Sequence, residues 1–267
     1  MKNQFTEEEK RDIIFKYTQL QYSRTKLKKE YNCSDNKILK VLKDEKVHIR
    51  SKQEINSRKY KVNDNYFKKQ GSNQAYIIGL LAADGNVSNK ENRIDLELQS
   101  KDIEILEKIR KEIQSERPIK TYTCANGYKK NKLLFWSAEI KKDLASFGVV
   151  PNKTYSKDYH FPYKIKNEFI IDYIRGLFDG DGSIKMTGSS ITFQIDSSNR
   201  NILNTIKEWL EKEYAIVTKI SQKNNSTSLP LYRLYCYGEQ TKKLFSILYT
   251  KDSLFMQRKY NEFLKLL

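Results

Sequence analysis

A ten-residue segment occurs twice in this chain, and this repeat constrains the fold more than any other feature. Residues 76–85 read YIIGLLAADG, and residues 173–182 read YIRGLFDGDG. The same offset of 97 residues (76 to 173) carries apolar residues of the first copy onto apolar residues of the second: Ile94 onto Ile191, Leu96 onto Phe193, Leu98 onto Ile195 and Leu106 onto Leu203. The chain therefore contains two copies of one structural module.

Each copy opens with a helical segment that ends in an aspartate followed by a glycine. Asp84 and Asp181 would face the negative end of the helix dipole and several unpaired carbonyl groups, which costs roughly 0.3 to 1 kcal/mol each. Because the chain accepts this cost twice, we interpret the two carboxylates as a site for a cation. Gly85 and Gly182 are expected to take the left-handed conformation that commonly ends a helix.

Small residues lie four positions apart on one face of each repeated helix, at Gly79 and Ala83 and at Gly176 and Gly180. This spacing allows two helix backbones to approach closely and to bring both helix ends together. Two nearby carboxylates repel each other unless a divalent cation neutralises them, and oxygen ligands select Mg²⁺ or a similar hard cation. A cation held in this way can activate water and stabilise the leaving oxygen of a phosphodiester.

The hydrophobic period changes from helical to alternating after each Asp-Gly. Ile94, Leu96 and Leu98 alternate with charged residues, which indicates a half-buried antiparallel strand. Asn126 and Gly127 form a strong hairpin signal before another strand. The predicted order is αββαββα in each copy. This order gives an α+β fold of two pseudo-symmetric repeats whose antiparallel sheets form saddles.

Residues 1–50 are predicted to form three short helices. Thr6 and Glu9 match a capping box, and the short Asn32-Cys33 connection suits a helix-turn-helix. The outward face of the third helix would then offer three residues to a DNA major groove: Asn36, Lys37 and Lys40. A small helical bundle that only packs or binds protein is the alternative. We assign a basic linker to residues 51–72, the first repeat to residues 73–157 and the second to residues 158–267.

The charge balance indicates a polyanionic partner. Fifty Lys and Arg residues against 33 Asp and Glu residues give a net charge of +17, and the excess is scattered along the chain. The longest apolar stretch, residues 77–83, is far shorter than the roughly 20 residues that span a bilayer. We therefore expect no membrane association and a cytoplasmic location. The three cysteines are widely spaced, which favours neither a disulfide framework nor a zinc site.

Residues 77–85 and 174–182 resemble the two signature helices of a LAGLIDADG homing endonuclease in its single-chain form. The resemblance covers about residues 73–267. It implies a metal site between the helix ends, with four residues as ligands: Asp84, Asp181, Ala83 and Gly180. Ala82 departs from the family pattern, because the second copy keeps an acidic residue there, Asp179.

The same resemblance implies a basic residue after the later helix of each repeat. Lys153 matches this position in the first repeat, and in the second Lys259 is preferred although Arg258 is adjacent. Such a cation would stabilise charge on phosphate or polarise the attacking water. Four residues at the ends of the second strands are candidates for ordering water or metal: Gln99, Ser100, Asp196 and Ser197.

The polar strand faces are predicted to bind double-stranded DNA through phosphate contacts and base-edge hydrogen bonds. The candidate residues are Arg93, Asn126, Lys129, Lys130, Lys132, Lys185, Gln194, Lys219, Arg233 and Tyr235. The resemblance implies a monomer of prokaryotic, phage or organellar origin that cuts both strands of a long target and leaves short 3′ overhangs. An intron RNA maturase and a DNA-binding regulator on the same fold are the alternatives.

Overall fold

Three short helices with their own small core form the N-terminal part of the chain: α1 (Glu7–Thr18), α2 (Arg24–Glu30) and α3 (Asp35–Asp44). The capping box is confirmed, because the Thr6 hydroxyl accepts from the Glu9 N–H and the Glu9 carboxylate accepts from the Thr6 N–H. Asn32 has a φ of 45° and turns the chain between α2 and α3. The core of these helices contains Ile13, Tyr17, Leu27, Cys33, Ile38, Val41 and Leu42.

The structure is a computed structural model that describes residues 5–51, 54–55, 59–223, 230–250 and 253–265. Two compact units divide the chain at residues 1–55 and 56–267. Part of the predicted linker, residues 52–53 and 56–58, lies outside the described residues. Its C-terminal part belongs to the second unit, because Tyr66 and Phe67 are buried in the core of that unit. No helix in the described ranges is long and apolar enough to cross a membrane.

The second unit contains two successive αββαββα repeats, which confirms the predicted α+β fold. The first repeat consists of α4 (Ser72–Asp84), β1 (Gly85–Val87), β2 (Arg93–Gln99), α5 (Ile103–Glu112), β3 (Lys120–Thr123), β4 (Lys129–Trp136) and α6 (Ala138–Ser146). The second consists of α7 (Ile170–Asp181), β5 (Gly182–Thr187), β6 (Ser190–Ser197), α8 (Arg200–Tyr214), β7 (Lys219–Lys223), β8 (Leu231–Tyr237) and α9 (Glu239–Leu248). A further helix, α10 (Gln257–Leu264), follows.

Each repeat forms a four-stranded antiparallel sheet, and the two sheets have equivalent strand orders, β1-β2-β4-β3 and β5-β6-β8-β7. In the first sheet, Glu97 lies opposite Lys132, whereas Leu96 lies opposite Leu133. One face of the sheet is therefore polar, and the other is buried against the helices. The predicted hairpin turn is present between β3 and β4, where Gly127 has a φ of 83°.

Helices α4 and α7 pack directly against each other, because glycine on each helix admits the backbone of the other. A Cβ atom on Gly79 would lie 2.1 Å from the carbonyl oxygen of Tyr173. The equivalent atom on Gly176 would lie 2.0 Å from the carbonyl oxygen of Tyr76. The close approach predicted from the small-residue spacing is confirmed at these two glycines.

The predicted left-handed conformation at the ends of these helices is wrong. Gly85 has φ −75° and ψ 152°, and Gly182 has φ −82° and ψ 163°, so both are extended. Each helix continues directly into a strand, and this requires extended backbone at the junction. Glycine is needed there for space, because a Cβ on either residue would lie 2.5 Å from a helix carbonyl oxygen, that of Leu81 or Phe178.

Candidate functional site

Asp84 and Asp181 are the last residues of α4 and α7, and the helix packing brings them together. A Cβ atom on Gly180 would lie 2.3 Å from the Cβ of Ala83 and 3.0 Å from Asp84 Oδ2. Both aspartates reach solvent, although protein atoms surround most of each carboxyl group. This partial burial raises the pKa of Asp181 to about 6, and the negative charge of Asp84 adds to the shift.

Burial also raises the pKa of Asp84, even though the positive charges of Lys153 and Lys259 oppose the shift. The positive charges of the same two lysines also oppose the rise in the pKa of Asp181. Both carboxyl groups therefore interact with both lysines. We call these four residues the helix-end site. The structure brings together all four residues that the sequence analysis proposed as catalytic.

Lys153 lies against the C-terminal end of α4. Its half-buried Nζ donates hydrogen bonds to the carbonyl oxygens of Leu81 at 3.1 Å and Gly85 at 2.9 Å, and also to that of Ala83. Burial lowers the pKa of Lys153 to about 8, while the charges of Asp181 and Asp84 oppose this shift. Lys153 thus satisfies carbonyl groups that the helix leaves unpaired, and its charge offsets the negative end of the dipole.

Lys259 occupies the equivalent position at the end of α7. Its buried Nζ donates to the carbonyl oxygen of Gly182, which corresponds to Gly85 in the repeat. Burial and then the charge of Arg258 lower the pKa of Lys259. Arg258 points to the first repeat, where its Nε lies 3.0 Å from Asp102 Oδ1. The geometry therefore favours Lys259 over Arg258, a choice that the sequence alone left open.

The residues proposed to order water have different environments. Asp196 binds Arg233 through two contacts of 2.7 and 2.8 Å, and Lys223 at 2.9 Å. Although burial opposes them, these hydrogen bonds hold the pKa of Asp196 below its ordinary value. Gln99 and Ser100 are exposed at the end of β2, and Ser197 accepts a hydrogen bond from the Asn199 N–H at 3.1 Å.

The polar face of the first sheet carries basic residues that are already paired with carboxylates. Glu97 lies 3.0 Å from Lys130 and 2.7 Å from Lys132, and Asp95 lies 3.2 Å from Arg93. This pairing was not predicted, although the sequence indicates it through the acidic residues that alternate with apolar residues along β2. Two further candidates are exposed in or beside the β3–β4 turn, Asn126 and Lys129.

On the second sheet, Gln194 is only 7% exposed and donates to Ser183, so it is less available for base contacts than we predicted. Lys185 is exposed on β5. Lys219 Nζ donates to the Tyr237 hydroxyl at 3.0 Å. The rings of Tyr235 and Tyr237 stack with their centroids 6.2 Å apart. In the N-terminal unit, Asn36 and Lys40 are exposed on α3, and Lys37 is half-buried.

Asp179 is fully buried behind the helix-end site, and its partners were not predicted from the sequence, although the family resemblance gives this position a structural role at the helix end. Its carboxylate accepts hydrogen bonds from the Tyr76 hydroxyl at 2.8 Å, the Tyr249 hydroxyl at 2.7 Å and the Met256 N–H at 2.7 Å. At the equivalent position of the first repeat, Ala82 offers no carboxylate. Tyr173, which corresponds to Tyr76, has a buried hydroxyl without a hydrogen-bond partner among the described residues.

A known protein family matches part of each of the two repeats. The LAGLIDADG-like domain family matches residues 168–249, and the WhiA LAGLIDADG-like domain family matches residues 73–129. Over the residues matched, each repeat is similar to a LAGLIDADG-like domain. An uncharacterized protein from Methanocaldococcus jannaschii is 26% identical over 206 residues, which cover 70% of this chain and 71% of that protein.

Two solved structures are similar to this chain at low sequence identity. The N-terminal LAGLIDADG domain of DUF199/WhiA has a TM-score of 0.46 at 14% identity, covering 77% of this chain and 88% of that one. The structure of I-DmoI in complex with DNA and Ca has a TM-score of 0.49 at 14% identity, covering 75% of this chain and 99% of that one.

The donor atoms at the ends of α4 and α7 fit a hard cation. Asp84 and Asp181 offer carboxylate oxygens, and the residues that precede them, Ala83 and Gly180, carry main-chain carbonyl groups, of which that of Ala83 accepts a hydrogen bond from Lys153. In the parts of the chain that the structure describes, no group of three or more His, Cys, Asp or Glu side chains is arranged to hold a metal. A cation at this site would therefore keep several water molecules, as Mg²⁺ commonly does in proteins.

Proposed function

We propose that this chain is a site-specific, metal-dependent endonuclease of double-stranded DNA. The observation that carries the proposal is the helix-end site, where one carboxylate from each repeat and one lysine from each repeat share a small space. Burial raises the pKa of both Asp84 and Asp181, so the ionised form of each carboxyl group is destabilised. Carboxyl groups with perturbed pKa values beside charged partners are typical of functional sites.

Each residue of the helix-end site has a definite task in this proposal. Asp84 and Asp181 would hold a hard divalent cation such as Mg²⁺ through their carboxylate oxygens. The carbonyl oxygen of Gly180 and that of Ala83, which also accepts from Lys153, would be further ligands. When bound, the cation supplies Lewis acidity toward phosphate and lowers the pKa of water. Lys153 and Lys259 keep the helix ends in place and provide positive charge against the phosphate that is attacked.

The polar sheet faces supply DNA affinity in the proposal. Exposed residues such as Lys185 and Lys129 contact phosphates, and pairs such as Lys132 with Glu97 hold polar groups in fixed positions toward base edges. We expect a monomer to cover a long target, cut both strands and leave short 3′ overhangs. The net charge of +17 agrees with a nucleic-acid partner.

The test begins with selection of cleaved sites from a randomised DNA library in Mg²⁺. Asp84→Asn and Asp181→Asn should each lower the cleavage rate by about a hundredfold or more while target binding is retained. Asp158→Asn, at an exposed carboxylate outside the site, is the matched control and should cleave normally. Cleavage by both site variants at the unmodified rate would overturn the proposal.

A DNA-binding regulator is the second candidate, and the match of residues 73–129 to the WhiA LAGLIDADG-like domain favours it. A regulator would select DNA by binding in the same library and would leave it intact with Mg²⁺. Binding of a discrete sequence without any cleaved product would therefore favour the regulator over the endonuclease.

We further propose that the N-terminal unit extends the DNA footprint through α3. Deletion of residues 1–58 should weaken DNA binding and flatten the dependence of affinity on salt, because phosphate contacts are lost. The cleavage positions should stay the same, since the helix-end site lies in the second unit. An unchanged salt dependence would show that α3 does not contact phosphates.

A further inference from the structure

Asp179 connects three elements of the second unit through a single buried carboxylate. Its three hydrogen-bond donors are Tyr76 on α4, Tyr249 at the end of α9 and the main chain of Met256. The side chain of Asp179 is 0% exposed. Loss of this carboxylate would leave three hydrogen-bond donors without their acceptor, which would destabilise the packing of these elements.

Met256 is the N-cap residue immediately before α10, and Lys259 lies within the first turn of that helix. The Lys259 N–H donates to the Met256 carbonyl at 2.9 Å, while the Met256 N–H donates to Asp179. Asp179 therefore fixes the start of the helix that carries Lys259. The Lys259 ammonium also lies 5.6 Å from the centre of the Phe178 ring, adjacent in sequence to Asp179.

The first repeat holds its lysine by other means. Lys153 lies outside any helix and donates to three carbonyl groups at the end of α4. Ala82 stands at the position of Asp179, so this position of α4 offers no carboxylate to the Lys153 segment. The two lysines thus occupy equivalent positions. Lys153 is held by its own hydrogen bonds to the end of α4, whereas Lys259 is held by α10, whose start is bonded to Asp179.

We propose that Asp179 is a positioning residue that holds Lys259 at the end of α7 through Met256 and Tyr249. Without this anchor, α10 shifts away from α7 and Lys259 leaves the carbonyl of Gly182, while Lys153 stays in place. The catalytic consequence rests on the proposed function, but the positional consequence does not. The two lysines of the helix-end site are therefore expected to respond differently to one substitution.

The experiment measures how fast each lysine is modified in the folded protein without DNA. Reductive methylation with formaldehyde at one fixed pH, followed by mass spectrometry of peptides, reports Lys259 and Lys153 in the same sample. In Asp179→Ala, Lys259 should react about tenfold faster, the factor expected when a hydrogen bond to a charged group is lost. Lys153 should react at the wild-type rate.

Milder variants keep the test informative if Asp179→Ala does not fold. Asp179→Asn retains one acceptor, and Tyr249→Phe removes one donor, so both should increase Lys259 modification less than Asp179→Ala does. Tyr163→Phe, at an exposed tyrosine, is the matched control for Tyr249→Phe and should change nothing. An unchanged Lys259 rate in Asp179→Asn and Tyr249→Phe would overturn the proposal.

A parallel rise of Lys153 and Lys259 would also overturn it, because it would indicate general loosening instead of release of one helix. A second readout uses the selected DNA target, where Tyr249→Phe should slow cleavage severalfold without weakening DNA binding. Weaker binding with an unchanged cleavage rate would contradict the positioning role. If no variant, including the wild type, cleaves DNA, the endonuclease proposal fails, and the methylation result still decides the role of Asp179.

Discussion

Two tyrosines at equivalent positions of the repeats have opposite environments. Tyr76 donates to the buried carboxylate of Asp179, whereas the buried hydroxyl of Tyr173 lacks a hydrogen-bond partner in the described structure. A buried hydroxyl without a partner costs about 1–3 kcal/mol. Replacement of each tyrosine by phenylalanine therefore removes a hydrogen bond in one case and a penalty in the other.

We predict that Tyr76→Phe lowers the free energy of unfolding by about 1–3 kcal/mol, whereas Tyr173→Phe leaves it unchanged or raises it. Urea unfolding followed by tryptophan fluorescence measures this change in the second unit, because both tryptophans, Trp136 and Trp209, lie there. The two variants are matched controls for each other. Equal losses of stability in both would contradict the difference between the two environments.

The residues of the helix-end site could largely be predicted, since the repeat aligns Asp84 with Asp181 and the family resemblance places a basic residue after the later helix of each repeat. The choice between Arg258 and Lys259 could not be predicted, because two adjacent basic residues fit the same position and only the structure shows where each side chain points. Alternation along a strand predicts the face on which Gln194 lies, yet it does not show that Ser183 accepts its hydrogen bond. Partners across strands depend on register, which a single sequence does not specify.

At the level of elements, the helix pair α4–α7 depends on two glycines that contact the opposite backbone. A methyl group at Gly79 or Gly176 would meet a main-chain carbonyl oxygen at about 2 Å, and neither helix can move without disturbing the packed core. At Gly71, the residue before α4, a Cβ would instead meet the flexible end of the Gln74 side chain.

We predict that Gly79→Ala and Gly176→Ala each lower the free energy of unfolding by about 3 kcal/mol or more, despite the better helix propensity of alanine. Gly71→Ala is the control and should change it by less than about 1 kcal/mol. Urea unfolding of the three variants provides the measurement. A small effect at both Gly79 and Gly176 would mean that the helices do not pack in this way.

The strand and helix order was predictable because the hydrophobic period changes where the elements change. The conformation of Gly85 was not, since the same residue type serves either a left-handed helix end or a crowded extended junction. The burial of Tyr66 and Phe67 was also missed. These two aromatic residues lie in a basic segment whose composition is typical of a linker, and only tertiary packing shows their role.

At the scale of the whole molecule, burial raises the pKa of three neighbouring carboxyl groups, Asp84, Asp179 and Asp181. An acid with a raised pKa binds more protons in the folded state than in the unfolded state, so its contribution to stability is lost as the pH rises through the folded pKa. For fully buried Asp179, a pKa of about 6 against 3.8 corresponds to about 3 kcal/mol. The exposed Asp181 contributes less because solvent screens it.

We therefore predict that, in EDTA, the second unit is more stable toward urea at about pH 5 than at about pH 7.5, since the pKa values of Asp179 and Asp181 are both about 6. Millimolar Mg²⁺ at about pH 7.5 should restore stability, because it binds the folded site alone. Asp181→Asn removes one carboxylate, so it should be more stable than wild type in EDTA and gain little from Mg²⁺. Sodium chloride at matched ionic strength is the control. An equal gain from Mg²⁺ in both proteins would mean that the cation does not bind between these two helix ends.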